Sequence, residues 1–246
     1  MRAYLLSMFF GLTATIALGT SLPVQAQAKI YQKKSGTASF NLNAETLNIL
    51  NSLGLSLASV ESTATPYPGF TYGWKLIPSS VNNEEGTNLK FSYDAQTGEF
   101  MALPSGIGTI EGIENYETTL VFNVDKTKLI LSPEFVIQGI SLTLATDRDF
   151  LSSNGVINGS PLLDLAVLAP PVVDVDHKIL KFDDLRTYLS PEFSDFLVAA
   201  GATKQVTGLE FFDSKSVYSI TEVPEPNSVL PILIIGIGLI ASRHKF

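Results

Sequence analysis

Leu89-Lys90-Phe91-Ser92-Tyr93-Asp94-Ala95-Gln96-Thr97-Gly98 is the stretch that decides the fold class of this 246-residue chain. Leu89, Phe91 and Tyr93 alternate with Lys90 and Ser92, so one face of a strand is apolar and the other is wet. Asp94 to Gly98 then reads as a hairpin turn, with Gly98 able to take a positive φ. The same period of two returns at Leu120, Phe122 and Val124 against Val121, Asn123 and Asp125. It returns again at Ile140, Leu142 and Leu144 against Ser141 and Thr143. Asp125-Lys126-Thr127-Lys128 is a second turn. Further strands are expected at 55–61, 71–77, 99–103, 107–113, 163–168, 172–176, 178–182 and 206–220. Residues 62–70 and 78–88 read as loops. Many short strands separated by Gly, Pro and Asn predict a mainly β body at 29–220, an antiparallel β-sandwich or barrel.

Two stretches depart from that period. Thr46, Ile49, Leu50 and Leu53 share one helix face, with Asn43 as N-cap and Gly54 as terminator. Phe193, Phe196, Leu197 and Ala200 repeat the spacing, with Ser190 as cap, Pro191 in the first turn and Gly201 at the end. Glu45 and Glu192 each stand near the positive end of their helix. Leu42-Asn43-Ala44-Glu45 and Leu189-Ser190-Pro191-Glu192 therefore begin matching strand-to-helix units. Duplication explains the match, and so does shared capping chemistry. Leu131-Ser132-Pro133-Glu134-Phe135 repeats the letters of 189–193 but is followed by strand-like residues.

The chain has no cysteine, which excludes disulfide and thiolate chemistry. Setting aside Arg2, Arg243 and Lys245 leaves 13 basic and 24 acidic residues, spread without a long run. That balance argues against nucleic acid and anionic lipid surfaces as partners. The body has one histidine, His177, in Val173-Asp174-Val175-Asp176-His177. On a strand, Asp174 and Asp176 share a face and His177 points away, so a solvated strand edge is favoured over a metal site. No Gly-x-Ser-x-Gly elbow and no phosphate-cradling loop is present; Gly106-Ile107-Gly108-Thr109 sits among strand residues. Asp147-Arg148-Asp149 reads as a local Arg–carboxylate contact, since a calcium loop needs more oxygen ligands. No cofactor, metal site or catalytic residue is nominated. Tyr67, Tyr72 and Trp74 form the candidate carbohydrate contact, because exposed rings stack on sugars. The competing reading is a core strand, since Phe70, Tyr72 and Trp74 alternate.

Both ends carry export patterns. Met1-Arg2-Ala3-Tyr4, the apolar run Leu5–Leu18 and the small residues to Ala28 read as a secretory signal peptide, 1–28, cut after Ala26 or Ala28. At 221–246, Val223-Pro224-Glu225-Pro226 is stiff and extended. Nine Leu, Ile or Val residues follow between Val229 and Ile240, then Ser242-Arg243-His244-Lys245-Phe246. The apolar residues favour a bilayer by about 3–5 kcal/mol. A helix over 228–242 is a short transmembrane span, and Arg243 and Lys245 would hold the C-terminus on the cytoplasmic side.

Pro224-Glu225-Pro226, the apolar helix and the basic end resemble the PEP-CTERM sorting signal of exported bacterial proteins. The resemblance implies an exosortase-like processing enzyme as partner, alongside the secretion translocon and signal peptidase. It covers about a tenth of the chain, and it departs from the pattern in its mixed Arg-His-Lys end and in Pro231. The expectation is an exported protein, held in the inner membrane by its C-terminal helix before processing and then in the envelope or extracellular matrix. Its expected role is non-enzymatic, structural or interactive. Binding of polysaccharide, including exopolysaccharide, is the alternative, and a secreted hydrolase is the second.

Overall fold

A computed structural model of the chain describes residues 28–77, 89–103, 110–145, 148–153 and 157–224. The expected signal peptide up to residue 27, the tail from Glu225 onward, the loop at 78–88 and Gly106–Thr109 lie outside the described residues. No helix among the described residues is long and apolar enough to cross a membrane.

Eight antiparallel strands close into a barrel. In ring order they are β1 (Lys29–Leu42), β3 (Tyr72–Ile77), β6 (Ile110–Val124), β7 (Glu134–Ala145), β8 (Phe150–Ser153), β9 (Pro161–Val167), β11 (Ile179–Leu189) and β12 (Glu210–Glu222). The pairing of β12 with both β1 and β11 completes the ring, so the barrel replaces the sandwich alternative. Four short strands extend it: β2 (Leu55–Val60) on β6, β4 (Lys90–Tyr93) on β1 with β5 (Phe100–Leu103) beyond, and β10 (Val172–Asp174) on β11. The hairpin at 94–98 forms as its residues require. The Asp94 carboxylate accepts the Gln96 amide, and Gly98 sits at φ 74°.

Strand boundaries differ from the sequence reading in several places; the strand expected at 178–182, for example, runs on to Leu189. From Ile110 on, the strand expected at 107–113 is continuous with 120–124, because Glu114, Tyr116 and Thr118 carry the inward alternation across the polar gap between them. The strand expected at 172–176 ends at Asp174, where the chain turns. The strand expected over 206–220 starts only at Glu210. Strand β1, absent from the sequence reading, is the centre of the sheet. Its alternation breaks at a bulge between Lys33 and Ser35. Tyr31 and Lys33 face inward before the bulge, and Phe40 after it, so the inward parity switches from odd to even.

The two helices lie where the caps place them. α1 (Ala44–Leu53) starts at Asn43, whose side chain accepts the Glu45 and Thr46 amides, and stops at Gly54 with φ 106°. α2 (Pro191–Ala199) starts at Ser190, whose hydroxyl accepts the Phe193 amide. Strands β1 and β11 flank β12 on opposite sides and each runs into its helix, so the matching units at 42–45 and 189–192 hold equivalent places. The turn after β6 wedges against both helix ends. A Cβ on Gly54 would meet the Lys128 Cβ at 3.0 Å, and one on Gly201 would meet the Lys128 carbonyl at 2.9 Å. The repeated pentapeptide meets itself here: the Phe135 ring lies 6.1 Å from that of Phe193.

Candidate functional site: a barrel cavity and an outer trough

The interior changes character along the barrel. At the helix end, Leu50, Leu55, Leu120, Phe122, Phe193 and Phe211 fill it and leave about 10 Å³. The middle layer is aromatic. Phe40 lies 4.1 Å from Trp74 and 5.1 Å from Phe212, ring centre to ring centre. Beyond that layer stand four polar side chains. Lys33 donates to Glu114 Oε1, while the Tyr116 hydroxyl donates to Glu114 Oε2 at 2.7 Å and the Tyr218 hydroxyl reaches the same oxygen at 3.1 Å. Lys33 is 2 % exposed and Glu114 is fully buried, so the carboxylate needs all three partners.

The consequences for protonation are directional. Burial pushes the Lys33 ammonium down, against the pull of Glu114. Burial first, and the Glu114 charge second, raise both tyrosine hydroxyls well above their ordinary value. Gly36 is a condition of this arrangement. It pairs with Tyr218 across the ladder, and a Cβ there would meet the Tyr218 ring at 2.3 Å.

Next to this cluster a cavity of about 180 Å³ opens toward the end opposite the helices. Leu89, Phe100, Leu142, Leu144 and Phe182 supply apolar wall, and Lys33, Asp149 and Tyr218 supply the polar part. Val167 lines it and is 43 % exposed, which connects it to solvent. Small eight-stranded barrels either fill with side chains or hold one small ligand. This barrel does the first at one end and leaves room for the second at the other.

A second concavity lies outside, across β1, β12 and β11. It is a trough of about 590 Å³ bounded by the 65–68 loop and the turn at His177 and Lys178. Hydroxyls of Ser35, Thr37, Ser219 and Thr221 belong to its floor. Tyr67 stands in it at 42 % exposure, with its backbone N–H donating to the Ser39 hydroxyl at 2.9 Å. Lys215 covers one face of the Tyr67 ring at 4.0 Å.

The three rings read from the sequence as a sugar contact do not share a surface. Trp74 is 2 % exposed, in the aromatic layer, and is a core residue because its strand turns it inward. Tyr72 is half-buried, stacked 5.4 Å from Phe40. Only Tyr67 faces solvent, and it is joined by His177, which the sequence placed on a strand edge. His177 instead lies in a turn: Asp174 accepts its backbone N–H at 3.0 Å and contacts its Nδ1 at 2.8 Å. That bend holds the Asp174 carboxyl below its usual range, through the His177 backbone bond first. No group of three or more potential ligand side chains gathers for a metal among the described residues. Arg148 bridges Glu192 at 2.8 Å and Asp164 at 3.3 Å, a longer-range contact than the Asp147–Asp149 reading supposed. Of the sorting motif, Pro224 is described and exposed; Glu225, Pro226, Arg243 and Lys245 lie outside the described residues.

Sequence reasoning missed Lys33, Glu114, Tyr116 and Tyr218. The signal was present in Tyr31-Gln32-Lys33 and Glu114-Asn115-Tyr116: a charge at the inward position of an aromatic alternation.

No family model and no curated protein matches this chain. Among solved structures it is similar to the C-terminal domain of HtaA from Corynebacterium glutamicum. The identity is 12 % and the TM-score 0.43, over 78 % of this chain and 99 % of that one. That likeness is too loose to carry a function across.

Proposed function

We propose that this chain is an exported, non-enzymatic protein of the cell envelope or extracellular matrix, delivered through its PEP-CTERM-like tail and acting by binding. The observation that carries the reading is the joint between the two ends of the body. The Val223 N–H donates to the Ile30 carbonyl at 2.8 Å, and Tyr31 pairs with Glu222. Ile30 and Val223, the described residues nearest the two expected processing sites, therefore lie side by side, which supports processing of both ends from one side of the barrel. The trough lies on the outer wall.

Mass spectrometry of the protein from its host tests the export part. Loss of mass up to Ala26 or Ala28 and beyond Pro226 is expected. An intact Phe246 makes the tail a plain anchor, and a retained signal peptide contradicts the reading. The interaction part has a specific second reading, polysaccharide binding in the trough, favoured by Tyr67 above a hydroxyl-lined floor. An aromatic ring offers a large apolar face for stacking, and Tyr67 stays 42 % exposed with Lys215 over its ring. Tyr67→Ala is expected to weaken retention on the host's own polysaccharide in affinity electrophoresis; unchanged retention removes the trough from the account.

A further inference from the structure

The cavity beside Lys33 has a size, a hydrogen-bonding character and a charge that together select a ligand. Its size is about 180 Å³. A dry cavity of about 150 Å³ takes benzene, so the room here suits one substituted ring. Its walls are largely aliphatic and aromatic, which favours an apolar body.

Its hydrogen-bonding character comes from Lys33. An ammonium has three donors. Among the described residues, Glu114 is the one oxygen that takes a hydrogen bond from Nζ. The other contacts of Nζ are π faces, with Tyr218 at 4.0 Å and Phe182 at 4.9 Å from the ring centres. Both rings line the cavity, so the donors not spent on Glu114 are directed among cavity-wall groups.

Its charge argues against an anion. Glu114 already neutralises Lys33, taking its hydrogen bond at the edge of the same wall. A ligand carboxylate would face the Glu114 carboxylate across the one ammonium they would share. A neutral oxygen meets no such opposition.

We infer that this cavity binds a small uncharged aromatic molecule bearing a hydrogen-bond-accepting oxygen, which Lys33 Nζ receives while Glu114 stays paired to it. The site shares Tyr218 with the outer trough but not Tyr67, on which the trough reading rests, so its failure would leave that reading untouched.

Acetophenone, toluene and benzoate are suitable probes, titrated by ligand-detected NMR against the full chain in lipid nanodiscs with empty nanodiscs as blank. Acetophenone is expected to bind about tenfold tighter than toluene, the worth of one charge-assisted hydrogen bond, and benzoate more weakly than acetophenone. Leu144→Phe, with circular dichroism confirming the fold, is expected to weaken acetophenone by at least the same factor by filling the cavity. Lys33→Met combined with Glu114→Gln is expected to abolish the preference for acetophenone over toluene. Should that double variant fail to fold, the ranking of the probes and Leu144→Phe still decide. Equal binding of acetophenone and toluene, benzoate as the tightest probe, no binding by any probe, or unchanged binding in folded Leu144→Phe would each overturn the inference.

Discussion

At one end of the barrel, helices carry Leu50, Phe193 and Leu197 into the interior and leave almost no space. At the other, the same alternation of strands delivers Lys33 and Glu114 inward and leaves a cavity open at Val167. Both ends use buried side chains on antiparallel strands. They differ in what closes them, and the difference teaches where stability and binding reside. The helix end has capped helices, locked glycines and apolar contact on every side. The opposite end has a buried ion pair, which is weak evidence for stability and costly to break.

The comparison can be broken first by truncation. Phe193→Ala at the helix end is expected to cost about 3–5 kcal/mol, a transfer loss plus a new cavity. Leu144→Ala at the open end should cost clearly less, because it enlarges a space that exists. Denaturant melts of the two variants decide, and equal costs would erase the contrast.

The polar cluster comes next. Glu114→Gln leaves the Lys33 charge buried without its counterion and is expected to cost about 3–5 kcal/mol. Adding Lys33→Met should return most of that loss, since a neutral pair needs no counter-charge. A double variant no more stable than Glu114→Gln would mean that the pair is not what holds this end.

The caps give the smallest effect. Ser190 is fully buried and its hydroxyl both accepts the Phe193 amide and donates to the Pro161 carbonyl at 2.8 Å. Ser190→Ala is expected to cost about 2 kcal/mol and Asn43→Ala about 1 kcal/mol, the difference reflecting that burial. The two values reversed would say that α1, not α2, seals the helix end.

The helix end was the legible one. Asn43, Ser190, Pro191, Gly54 and the apolar faces of both helices are local signals, and each stands where the sequence put it. So does the 94–98 hairpin. Barrel closure was not legible, because it depends on β12 pairing with β1 across most of the chain. Strand β1 hid for a physical reason: its bulge switches the inward parity, and its inward face includes a lysine. Trp74 was ambiguous in sequence because an aromatic alternation suits both a core and a sugar platform; pairing with β1 makes it core. Tyr67 and His177 could not be joined from sequence, since the trough they share is assembled by strands β1, β12 and β11.

Lys33 and Glu114, 2 % and 0 % exposed, anchor the buried cluster, and its ionisation tests this most directly. For Lys33, the folded protein releases its proton at lower pH than the unfolded chain. Between that lowered value and 10.5 the unfolded chain binds more protons, so stability rises with pH. For Tyr116 and Tyr218 the order reverses. The unfolded chain loses these protons near 10 and the folded one keeps them, so stability falls as pH rises through the raised values. A spectrophotometric tyrosine titration of the folded protein, compared with Tyr116→Phe and Tyr218→Phe, should therefore show these two hydroxyls un-ionised well past pH 10 until the barrel unfolds. Reversible ionisation of Tyr116 and Tyr218 near pH 10, with the fold intact, would contradict it.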